Sequence, residues 1–66
     1  MKVTMDWKVL RTLVGDLINR LSEINQVAFQ GQNNGSLDKE QVEYLKFYVN
    51  DVKKNIDKLQ SCIEKL

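Results

Sequence analysis

Apolar side chains recur along this chain at alternating intervals of four and three residues, in two runs that skip no position. The first run is Val3, Trp7, Leu10, Val14, Leu17, Leu21, Ile24 and Ala28; the second is Val42, Leu45, Val49, Val52, Ile56, Leu59, Ile63 and Leu66. An α-helix turns once in 3.6 residues, so this spacing keeps each run on one side and predicts two helices with coiled-coil-like seams. Between the runs, "QGQNNGS" (30–36) has no apolar side chain and reads as a turn.

The chain is therefore predicted to be all-α, a single domain over 1–66. Helix 1 is expected at about 5–29, a loop at 30–37 and helix 2 at about 38–65. Thr4 or Asp6 can cap helix 1. Asp38 suits helix 2, because it puts Gln41 at the third helical position of a capping box and brackets the start with Leu37 and Val42. Gly15 is a weak point inside helix 1, off the seam.

A short loop makes the helices antiparallel. Pairing Trp7 with Leu59, Leu10 with Ile56, Val14 with Val52 and so on, including Val3 with Ile63, gives residue numbers that add to 66 and centres the hairpin on Asn33. A slip of one layer, to a sum of 73, also meshes but centres beyond the loop, so the first register is preferred.

Helix 1 carries more apolar surface than one neighbour covers. Leu13 and Val27 lie on one flank of its seam, Ile18 and Phe29 on the other. A stripe of that width suits a helix with two neighbours. Leu13, Ile18 and Val27 are accordingly expected at an interface between two hairpins, which pair as a dimer into a four-helix bundle. Size points the same way: 66 residues support a marginal core, one cysteine allows no internal disulfide, and the absence of histidine leaves no zinc set. Association is the remaining source of stability.

Ten basic against nine acidic residues leave almost no net charge, which is not the footprint of a nucleic-acid binder. Lys39, Lys46 and Lys53 form a stripe at seven-residue spacing, but Asp57 and Glu64 continue that side with opposite sign. An RNA- or DNA-associated bundle is the alternative reading this stripe leaves. No apolar run reaches the ~20 residues of a membrane span. "MKVTMDWK" does not read as a signal peptide, and a lone thiol suits a reducing compartment, so a cytoplasmic location is expected.

Catalytic chemistry has little to stand on. Without histidine, acid–base work falls to carboxylates and lysines, and the acids sit off the seams. Asp16 and Arg20 read as an i,i+4 surface pair. Cys62 lies near a helix C-terminus, the end that does not activate a thiolate, and no Lys-Ser or Lys-Thr follows the glycine loop to hold phosphate. No catalytic, cofactor-binding or metal-ligating residue is assigned. The stretch Lys46-Phe47-Tyr48-Val49-Asn50 takes the place, in a chain of this length and layout, of a Ser-Gln-Glu-Leu-Asp signature on a second helix. The architecture resembles the small helical-hairpin aspartyl-phosphate phosphatases of sporulating bacteria. Only the apolar fourth position, Val49, fits that signature, so the phosphatase activity is not carried over.

Tyr44, Phe47 and Tyr48 crowd three aromatic rings into five positions, away from the centre of the seam. Aromatic groups of this kind mark recognition surfaces. They are assigned as partner-binding residues. The chain thus reads as a small non-enzymatic protein–protein interaction module, an adaptor, inhibitor or anti-regulator of a larger protein.

Overall fold

The computed structural model describes residues 4–66. Helix α1 spans Trp7–Asn34 and helix α2 spans Lys39–Glu64. They run antiparallel as a hairpin with extents of 53 × 16 × 14 Å. The pairing of Val3 lies outside the described residues.

Both N-termini are closed by aspartates. Asp6 caps α1, its Oδ1 accepting the backbone N–H groups of Lys8 and Val9 at 3.2 Å each. Asp38 caps α2 through a full capping box: Gln41 N–H donates to Asp38 Oδ1 at 2.8 Å, and Asp38 N–H donates to Gln41 Oε1 at 3.0 Å. This second cap matches the sequence expectation.

The end of α1 does not. Residues 30–34 continue the helix, and it stops at Gly35, whose φ of 76° is left-handed. Glutamine and asparagine cost a helix only tenths of a kcal/mol each, so a polar run does not by itself end one. The stop comes where glycine reverses the backbone without a Cβ penalty. Gly31 stays helical and serves packing, since a Cβ there would meet Leu37 Cδ2 at 3.0 Å.

That shift moves the register. Arg20 meets Asp51, and Gln30 meets Gln41; both pairs have residue numbers adding to 71, not 66. The hairpin is centred near Ser36 because α1 runs five residues past its expected end. The register closest to this is the one-layer slip, not the preferred pairing.

The inner faces are rotated as well. On α1 the half-buried positions include Leu10, Leu13, Leu17, Arg20, Ile24, Val27 and Gly31; on α2 they include Gln41, Leu45, Tyr48, Val52, Asn55, Leu59 and Cys62. Both sets keep the three–four rhythm. They use one edge of each apolar stripe and leave the other edge in solvent. Trp7, expected against Leu59 and Ile63, is 56% exposed, and Val14, Leu21, Val42, Val49, Ile56 and Ile63 are exposed too. No apolar side chain among the described residues is buried; the buried residue is Asn55, at 9%.

Candidate functional site

The two sides of the hairpin differ in chemistry. Seen from each helix's own N-terminus, the turn from inner face to exposed apolar stripe goes the same way round on α1 and α2. Because the helices are antiparallel, equal rotations land on the same side. Trp7, Val14, Ile18 and Leu21 therefore share one side of the hairpin with Val42, Val49, Ile56 and Ile63. The opposite side carries Asp16, Arg20 and Glu23 of α1, and Tyr44, Phe47 and Asp51 of α2.

Arg20 organises that opposite side. Its Nε donates to Asp51 Oδ2 across the hairpin at 2.6 Å, and its Nη1 donates to Glu23 Oε2 at 2.8 Å. The expected pair with Asp16 gives way to these two. An i,i+4 partner offers one exposed contact, whereas Asp51 and Glu23 together orient the planar fork of the guanidinium. Both hydrogen bonds hold Arg20 above the usual arginine pKa, that to Asp51 contributing most.

The aromatic rings close over the same guanidinium. Its central carbon lies 5.4 Å from the Tyr48 ring centre and 5.8 Å from that of Phe47, within cation–π range. Phe47 meets Tyr48 edge-on at 6.0 Å, and Tyr44 stacks on Tyr48 at 6.2 Å. The Tyr44 hydroxyl donates to Glu40 Oε1 at 3.2 Å, which favours the neutral phenol and raises its pKa. Spacing along α2 brings Tyr44 and Tyr48 together at i,i+4; Arg20 arrives from α1 only through the register. The rings are legible from spacing along α2; the cation against Phe47 and Tyr48 is not.

Exposure separates the three rings. Tyr48 is half-buried on the inner face, whereas Tyr44 and Phe47 are exposed, Phe47 at 59%. Beside them an open recess of about 400 Å³ is lined by Asp16, Asn19, Arg20, Glu23, Asp51 and Asn55. The residues expected between hairpins divide as well. Leu13 and Val27 are half-buried and turn toward α2, while Ile18 is 60% exposed.

Cys62 is a half-buried free thiol on the inner face. Among the described residues, no three His, Cys, Asp or Glu side chains come together to hold a metal. None of the described helices is long and apolar enough to cross a membrane. Comparisons with protein-family models, with curated proteins and with solved structures find no match to this chain.

Proposed function

We propose that this hairpin is a non-enzymatic interaction module: it self-associates into a four-helix bundle and engages a larger protein through Tyr44, Phe47 and Tyr48. The supporting observation is the division of its surface. One side carries an exposed apolar stripe on each helix, and the other an aromatic group in which Phe47 and Tyr48 lie against Arg20. Partly exposed aromatics beside an arginine have the composition of an interface hot spot. With its rings already oriented, a partner gains contact area at little ordering cost. The role that follows is occupancy of a partner surface, as adaptor, inhibitor or anti-regulator, in the cytoplasm.

Partner capture with wild-type chain and with a Tyr44→Ala, Phe47→Ala double variant tests this reading. The variant is expected to stay helical, keep its association state and lose the proteins that wild type retains. Equal retention by both chains would move the binding surface elsewhere. The Lys39, Lys46 and Lys53 stripe supports a second reading, an RNA- or DNA-associated bundle. Retention of nucleic acid that falls steeply with salt would favour it.

A further inference from the structure

The exposed apolar stripes, unlike the aromatic side, also specify how an occupant would be arranged. The chain exposes 5520 Å². A compact protein of this mass exposes ~4,300 Å² by the usual scaling. The excess, about 1,200 Å², belongs to the elongated hairpin as a whole, and most of the exposed large aliphatic side chains lie on this one side, among them Ile18, Leu21, Ile56 and Ile63. Heptad spacing runs along both stripes: Trp7, Val14, Leu21 and Ala28 on α1, and Val42, Val49, Ile56 and Ile63 on α2. A surface with two helical stripes side by side is the shape that a second such surface covers.

We infer that a second copy of this chain covers this side, with its α2 on α1 and its α1 on α2, about a two-fold axis parallel to the helices. This arrangement rests on the self-association proposed above and specifies its topology. Such an axis leaves heights along the bundle unchanged, so contacts between copies must obey the same register as contacts within one. They do. Trp7 opposite Ile63 of the second copy, Val14 opposite Ile56, Leu21 opposite Val49 and Ala28 opposite Val42 all have numbers adding to 70, one residue from the 71 of Arg20–Asp51. A residue of offset is ~1.5 Å along a helix.

Charge at the rim selects this arrangement over its rival. With α1 on α2 of the second copy, Lys8 and Arg11 come within about one helical turn of the level of Glu64 and Asp57. Lys53 extends its aliphatic stem beside Ile18. An axis perpendicular to the helices would instead lay α2 on α2. Meshing Val49 with Ile56 in that way brings the two Lys53 side chains together at mid-length of the rim. Like charges facing each other there oppose association.

Single-cysteine variants in a Cys62→Ser background test the arrangement. Val14→Cys and Ile56→Cys chains, mixed in equal amounts and oxidised mildly, should give a mixed 14–56 disulfide as the dominant covalent dimer. Val14→Cys with Leu21→Cys, and Ile56→Cys with Val49→Cys, should cross-link at least tenfold less. The reverse preference would overturn the topology while leaving self-association standing. Sedimentation equilibrium on the uncross-linked wild type tests self-association itself: a helical 7.7 kDa monomer at about 100 μM would overturn both claims. Binding of that monomer to phosphatidylcholine vesicles would assign the apolar side to a lipid surface instead.

Discussion

Arg20 and Asp51 hold the two helices in register through a 2.6 Å hydrogen bond, with the guanidinium lying against Phe47 and Tyr48. Both side chains are about one-third exposed, so solvent screens their attraction and the pair serves orientation more than stability. Arg20→Ala also removes the contact with the rings, and a lower urea midpoint is expected. Arg20→Lys should recover little of the difference, because an ammonium has no planar fork to share between Asp51, Glu23 and two rings. A double-mutant cycle with Asp51→Ala measures the cross-helix part.

Asp38 sets where α2 begins. Asp38→Ala removes one bond of the capping box and leaves the Gln41 N–H to water, a loss of about 1 kcal/mol. Gly35→Ala places a Cβ on a residue at φ 76° and should cost about 1–2 kcal/mol. Thermal melts of both variants, followed by circular dichroism, check these values.

Asn55 is the buried residue of the inner face. A polar side chain at such a position favours one register and reduces stability. Asn55→Leu is expected to raise unfolding free energy by about 1 kcal/mol and to relax the register. Broadened or doubled amide resonances alongside a higher melting temperature would show both effects.

Tyr44 should respond to alkali. Its hydrogen bond to Glu40 stabilises the neutral phenol, so its pKa in the folded chain lies above the usual 10. The stabilisation is complete below the unfolded value and disappears as pH rises through the folded one. Ultraviolet titration at a phenolate wavelength should place Tyr44 above 10, and Glu40→Gln should lower it.

Much of the fold was legible because helix period and caps are local properties. Asp38 and Gln41 lie three residues apart, and Leu10, Leu17 and Ile24 are on the inner face in either register. The end of α1 was harder to place, since Gln30–Asn34 carry no apolar signal and are tolerated in either a helix or a loop. That five-residue difference moved the register, and the register decides which α1 residue meets Asp51. The aromatic group could be found from three neighbouring positions. Its cation could not, because Arg20 is thirty-one residues away from its α2 partner. The seam differs from its expected position for another reason: the pattern gives the width of an apolar stripe but not which edge each neighbour takes.

The absence of buried apolar side chains among the described residues has a consequence for abundance. Were a second copy to complete the hairpin as proposed, its stability would derive from mass action and fall by about 1.4 kcal/mol for each tenfold dilution. Synthesis rate would then act as a threshold. Below it, single chains would open and be exposed to proteolysis; above it, they would persist. Such a protein would accumulate sharply rather than in proportion to its message, with no dedicated switch beyond the unpaired side of the hairpin.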